Sequence, residues 1–252
     1  MALAAAPAWA QDLPDLKRRG RLRVLAVFVP EGPQFVAPPR DPAPGFDREI
    51  LEGFGRLHGL AVEVTPVPSW DGLAPALLAG RGDVIAGGFT DTAARRAVVD
   101  FTVEVFPTRD VVITRRPTPA ILTLEQLRGA RVGTIKGTSM AESLARAGVR
   151  QVDDSIPPGG VPRALREERF EAAVDGVEAA LIASRNDPEL QIGMFLGSAA
   201  SLAYAVRKDS PLLRSALDDY LGNLRRTPTW NRLVVKYFGA AAPEILRRAR
   251  SQ

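Results

Sequence analysis

The chain has 252 residues, 46% hydrophobic and 25% charged, with a formal net charge of +4. That is enough for one large domain or two lobes of about 100 residues each. Its basic residues are scattered, mostly in pairs such as Arg225-Arg226 and in no run longer than Lys17-Arg18-Arg19, with no aromatic-interleaved stripe to receive nucleic acid. Cysteine is absent, and the single histidine, His58, sits at a helix end, so thiolate chemistry, disulfides and multi-histidine metal sites are excluded and no metal or cofactor is expected.

Residues 1–10 are small and apolar, and Ala8-Trp9-Ala10 before Gln11-Asp12 fits a small-x-small cleavage site, the remnant of a secretory signal peptide. No later stretch holds 18 consecutive apolar residues, so an exported, unanchored periplasmic protein is expected. Residues 13–20 read as a helix and Leu22–Val27 as a strand, followed by a Pro/Gly-rich loop over 30–45. Apolar residues at 46, 50, 51, 54 and 57 mark a helical face, Leu60–Val67 alternates as a strand, and Trp70–Leu78 is helical. Val84-Ile85-Ala86 is a short buried strand broken at Gly87-Gly88, and Val111–Thr114 is a further strand.

A second unit repeats this order: helix at 124–127, strand Arg131–Thr134, helix Ser139–Ala147, strand Gly148–Val152, helix Val161–Glu168, strand Phe170–Val174 and helix Val177–Ser184. Helices over Pro211–Arg226 and Trp230–Phe238 close the chain. Alternating strands and helices predict an α/β protein of two similar lobes, each a mostly parallel sheet, with a ligand crevice between them at the strand ends. The chain should cross near Phe106–Asp110 and Ser198–Ala203, giving lobe 1 as residues 12–107 plus 202–252 and lobe 2 as 108–201.

The runs Gly45-Phe46-Asp47, Ser69-Trp70-Asp71-Gly72-Leu73, Gly82-Asp83-Val84-Ile85-Ala86-Gly87-Gly88-Phe89-Thr90-Asp91-Thr92 with Arg95-Arg96, Gly137-Thr138-Ser139 and Lys236-Tyr237-Phe238-Gly239 together resemble the bacterial family 3 solute-binding proteins, the amino-acid receptors of ABC transporters. The resemblance covers residues 12–240. It implies the two-lobed type II periplasmic-binding-protein fold and a monomer that captures a small carboxylate, an amino acid or a relative, by hinge closure and delivers it to a membrane permease. It also implies no catalysis.

Chemistry supports the positions the resemblance marks. An α-carboxylate needs a bidentate cation and donors, and Arg95, five residues after Thr90 at the end of a buried strand, can fold back over that loop. Gly87 and Gly88 let the backbone approach a ligand. Thr138 and Ser139 open a helix, either offering donors to the same anion or simply capping it. Trp70 is either a pocket wall or core. Two departures stand out: Gly32 occupies the place of an aromatic lid, with Phe28 or Phe35 as substitutes, and Gly176 occupies the place of the family's ammonium-binding acid. Asp175 or Glu178 would then have to supply that acid, or the ligand lacks an ammonium group. Asp175-Gly176-Val177-Glu178-Ala179 is also similar to cyclohexadienyl dehydratase, an enzyme on the same fold, in which the acid matching Glu178 protonates a leaving hydroxyl; Thr134 and Lys136 depart from that enzyme's pattern.

Overall fold

The computed structural model describes residues 12–30, 35–38, 41 and 43–251. The signal-like segment 1–10 and Gly32 lie outside the described residues. Ten strands form two five-stranded sheets. The first contains β1 (Arg21–Ala26), β2 (Ala61–Pro66), β3 (Val84–Ile85), β4 (Asp100–Phe101) and, from much later in the chain, β10 (Ala205–Val206), in the order β2-β1-β3-β10-β4. The second contains β5 (Phe106–Arg115), β6 (Val132–Ile135), β7 (Val152–Ile156), β8 (Ala172–Gly176) and β9 (Leu190–Leu202), in the order β7-β6-β8-β5-β9. In each sheet three parallel strands are extended by two more through successive antiparallel pairings, so only β10 and β5 run against their sheets. The chain thus has the predicted two-lobed α/β architecture, helices flanking both sheets.

Local chemistry explains the elements that the sequence marked. In the helix Phe46–His58, Phe46, Ile50, Leu51 and Phe54 are buried on one face, and Gly59 ends it in the left-handed region. Asp12 caps the helix Leu13–Arg19 through a capping box. Trp70–Leu78 begins as a 3-10 turn, Trp70–Gly72, before the helix Leu73–Leu78.

Three elements differ from expectation. The strand read at Gly148–Val152 lies instead at Val152–Ile156, because it forms the sheet edge and exposes Asp153, Asp154 and Ser155, leaving little apolar signal. The 13-residue β9 was not predicted; its Gly193, Gly197 and small residues mask its alternation, and it is defined by pairing along β5 from Phe106↔Leu202 to Arg115↔Leu190. A last helix, Ala242–Arg250, follows Phe238 and buries Ala242, Ile245 and Ala249. It packs on β5 and on the helix Val177–Asn186 of the second sheet, although residues 202–252 were all expected with the first lobe. Its apolar side needs a partner, and the second sheet's flank supplies it.

The paired ends of β5 and β9 reach the first sheet as well: Thr90 bridges Leu202, and the Val105 N–H donates to Leu202 O at 2.8 Å. Beside them Phe35, Phe46, Phe106 and Phe238 form an edge-on and stacked aromatic cluster, with centroids 4.5–6.2 Å apart. Glu104 ties Arg225, Arg250 and Ser201 to the same crossing.

Within the first sheet the fully buried Asp83 accepts the Arg23 N–H at 2.8 Å and pairs with Arg19 at 2.6 Å and Arg23 at 2.9 Å, pinning β1 to the turn before β3. Asp83→Ala leaves those cations without their buried counter-charge and should lower stability by about 3–5 kcal/mol; a urea-unfolding midpoint unchanged from the parent would contradict this.

Candidate ligand-binding cleft

A cavity between the sheets is lined from both sides. The first sheet's side contributes Val27, Trp70, Gly88, Thr90 and Arg95, and the second contributes Thr108, Asp110, Ile135, Thr138, Asp175 and Glu178. These are strand ends and the loops just beyond them, where an open α/β sheet places ligands.

Arg95 lies in the short helix Ala93–Arg96, started by Thr92, whose Oγ1 accepts the Arg95 N–H at 3.3 Å. Its Nη1 donates to the Thr90 carbonyl at 2.8 Å, and the guanidinium stacks 4.0 Å from the centre of the buried Phe89 ring. These contacts fix the fork in the cavity wall. Burial lowers the guanidinium to about 10 against the opposing pull of Glu142 and Asp71, so it remains charged at neutral pH. Neighbouring Arg96 is exposed and pairs with Asp91. Trp70 is both wall and core: it lines the cavity, is 9% exposed, and directs its indole N–H to the Gly87 carbonyl at 3.4 Å.

Gly87 and Gly88 have φ of +90° and +75°, which bend the chain away from β3 at a cost few other residues tolerate. The Gly87 N–H is held at 2.8 Å by the buried Asp47 carboxylate, which Tyr204 also approaches at 3.3 Å. Burial outweighs these hydrogen bonds and pushes Asp47 up to about 7.

The opposite wall is acidic. β5 carries Thr108 and Asp110, and register places Asp110 opposite Gly176, the last residue of β8. Asp175 precedes that glycine and Glu178 lies in the first turn of the following helix. Thr108 Oγ1 donates to Glu178 Oε2 at 2.7 Å, and the Gly176 N–H donates to Asp175 Oδ1 at 2.8 Å. Burial, with the charges of its acidic neighbours, pushes Asp175 up to about 8 and Glu178 up to about 7; Asp110 is also raised by burial, moderated by Ser143 and Arg146. A Cβ at Gly176 would overlap the Glu178 carboxyl group. Glu178 therefore folds back into the space that a side chain at 176 would otherwise fill.

The predicted site residues are brought together with one displacement. Thr138 lines the cavity, its hydroxyl donating to Ile135 O at 2.8 Å. Ser139, the neighbouring candidate, lines an outer recess beside Asp71 and Glu142 and makes no side-chain cap to the helix Met140–Arg146. The turn at Gly137 (φ +75°) sends residue 138 inward and leaves 139 at the mouth. Phe35, one of the two aromatic residues offered as a lid substitute, lines the cavity. Thr134, a departure from the dehydratase pattern, points its hydroxyl at the Val174 carbonyl at 3.4 Å. Sequence reasoning missed Thr108 and Asp110; the one signal was an acid directly before the apolar run Val111-Val112-Ile113. One cation facing several carboxyls suits a solute with an anionic and a cationic end.

The family model described as bacterial extracellular solute-binding proteins, family 3, matches residues 29–240. The chain is similar to the lysine/arginine/ornithine-binding periplasmic protein of Escherichia coli, 26% identical over 207 residues that span 77% of this chain and 78% of that protein. It is also 25% identical over 202 residues to the membrane-bound lytic murein transglycosylase F of Desulfosudis oleivorans, spanning 78% of this chain and 44% of that one; the chain spans under half the length of such transglycosylase relatives. Among solved structures, the P235GK mutant of ArgBP from T. maritima superposes with a TM-score of 0.78 at 25% identity, covering 90% of this chain and 98% of that one. The two-sheet fold, the cleft and the family match agree: the chain belongs to the bacterial extracellular solute-binding proteins of family 3.

Proposed function

We propose that this is an extracytoplasmic receptor that captures an amino acid between its lobes and delivers it to the permease of an ABC transporter. The observation that carries the reading is the facing of Arg95 and the Asp175–Glu178 acids across one cavity lined by both sheets. An α-carboxylate takes the Arg95 fork, with Thr90 and Thr138 beside it, and the α-ammonium meets Glu178, which stands in for a side chain at Gly176. The relative named as a lysine/arginine/ornithine-binding periplasmic protein supports the assignment to an exported receptor; on this reading the receptor acts as a monomer.

Closure is the proposed mechanism. The lobes are residues 12–107 with 202–241, and residues 108–201 with the last helix, the chain crossing where Phe106 pairs with Leu202 and Pro107 with Ser201. A ligand gripped from both sides lowers the energy of the closed form alone, and the closed form presents a composite surface to the permease. Contact between the lobes is made at Gly137, where a Cβ would stand 2.7 Å from Asp71 Cγ and 2.9 Å from the Asp71 backbone nitrogen.

A lyase reading has one specific observation in its favour, the Glu178 carboxyl raised to about 7, where it can hold a proton for transfer. Prephenate or arogenate incubated with the protein should show no turnover; product formation that Glu178→Gln abolishes would replace the receptor reading with the enzymatic one.

Calorimetry against the twenty amino acids should find a ligand whose affinity falls about 100-fold or more in Arg95→Ala, because a buried charge-assisted pair is lost; retained affinity in that variant refutes the carboxylate assignment. Gly137→Val should hold the lobes apart, weakening the same ligand about 10-fold or more; because residue 137 has φ +75°, the valine should also lower urea stability without ligand by about 1–3 kcal/mol. Small-angle scattering reads the outcome: a variant that compacts on ligand addition as the parent does would refute the contact's role in closure.

A further inference from the structure

The acidic wall holds more carboxyls than a zwitterion can use. Asp110, Asp175 and Glu178 come from three separate elements, β5, β8 and the helix after it, and all three line the cavity that Arg95 faces. Among the described residues lining this cavity, these four carry its charge. An α-carboxylate engages Arg95 and an α-ammonium engages one acid, which leaves two carboxyls in a buried space without a counter-ion. Close unpaired carboxylates in such a space repel and retain protons.

We propose that the cavity selects solutes bearing a second positive charge, a guanidinium or side-chain ammonium, and that this charge enters in exchange for a proton held in the Asp110–Asp175–Glu178 cluster. The proposal rests on the receptor reading above. Charge bookkeeping is balanced: the carboxylate pairs with Arg95, the two cationic groups pair with two carboxylates, one proton leaves to solvent, and the third acid keeps its own. Other groups also act on the site. Arg146 pulls Asp110 toward ionisation and Ser143 donates to it from the helix Met140–Arg146, whereas Glu142 and Asp71 act on Arg95. The raised acids agree with protons stored in the wall at neutral pH.

The pH dependence has a definite sign. Asp47, Asp175 and Glu178 have folded-state values above their unfolded ones, so between about pH 4 and 8 the folded chain binds more protons than the unfolded chain. The contribution of these groups to stability without ligand is greatest at the acid end of that window and is lost as pH rises through about 7–8. A cationic solute supplies the missing counter-charge and should stabilise the protein more at pH 8.0 than at pH 5.5.

The probes are L-arginine and L-citrulline, which share a shape and differ in the charge of the terminal group. At pH 8.0 arginine should bind about 100-fold more tightly than citrulline, and the ratio should shrink at least about 10-fold at pH 5.5. At pH 7.0 the arginine enthalpy should differ between phosphate and Tris in the direction of proton release. Asp110→Asn should reduce the arginine-to-citrulline ratio about 10-fold or more, and lysine and ornithine against glutamine repeat the comparison for an ammonium. Equal affinities for the charged and neutral members of both pairs, still dependent on Arg95, would overturn the selectivity and leave the receptor reading standing. A preference for the charged members with no buffer-dependent enthalpy would overturn the proton exchange. Binding of no amino acid at either pH would remove the receptor reading and this proposal with it.

Discussion

A guanidinium on one wall and carboxyls on the other, held apart across a desolvated cavity, are the constraint around which this molecule is arranged. Charged groups taken out of water need partners, and neither lobe alone supplies them for the wall it presents. Arg95 has the Thr90 carbonyl and the face of Phe89, which fix its position without neutralising its charge. Glu178 has the Thr108 hydroxyl, and Asp175 has the Gly176 N–H, which fix their positions while burial raises both acids toward their protonated forms. On the receptor reading proposed above, the energetic demand left over is met by a molecule whose two ends are oppositely charged.

The remainder of the fold serves to hold those walls in register. Asp47 and Tyr204 brace the Gly87-Gly88 bend that sets the reach of Thr90 and Arg95. β5 runs from the crossing into the second sheet between β8 and β9, so Thr108 and Asp110 sit on the same strand that joins the lobes. Motion at the crossing therefore moves the acidic wall directly. The phenylalanine cluster and the Glu104 contacts to Arg225, Arg250 and Ser201 limit the paths that motion can take, and the last helix adds a third connection between the halves.

On the proposed reading, Glu178 is an acid that has changed its place in sequence and kept its place in space. A strand reverses its side-chain direction at each residue, so Asp175 is no simple replacement for an acid at 176. The helix that begins at Val177 offers another route: a side chain in its first turn reaches back over the strand end, as side chains on helices lean toward the N-terminus. Glycine at 176 leaves the room for it.

Hydrophobic periodicity and turn chemistry determined the α/β class, the doubling of the unit and most helices, because those signals are local and repeat within one turn or one strand. Residue type and order were enough to mark Arg95, Thr90, Gly88 and Trp70. Tertiary structure alone set Thr138 along the inter-sheet cavity and Ser139 in the outer recess, added Thr108 and Asp110 to the cavity lining, and gave Ala242–Arg250 its seat on the second sheet. Each of those outcomes depends on contacts between segments far apart in the chain: β9 is specified by its partner β5, and Asp110 becomes part of a cluster only when β8 and its following helix are laid beside it. No short stretch of sequence carries that information, since the free energy that selects it is realised only when the walls meet.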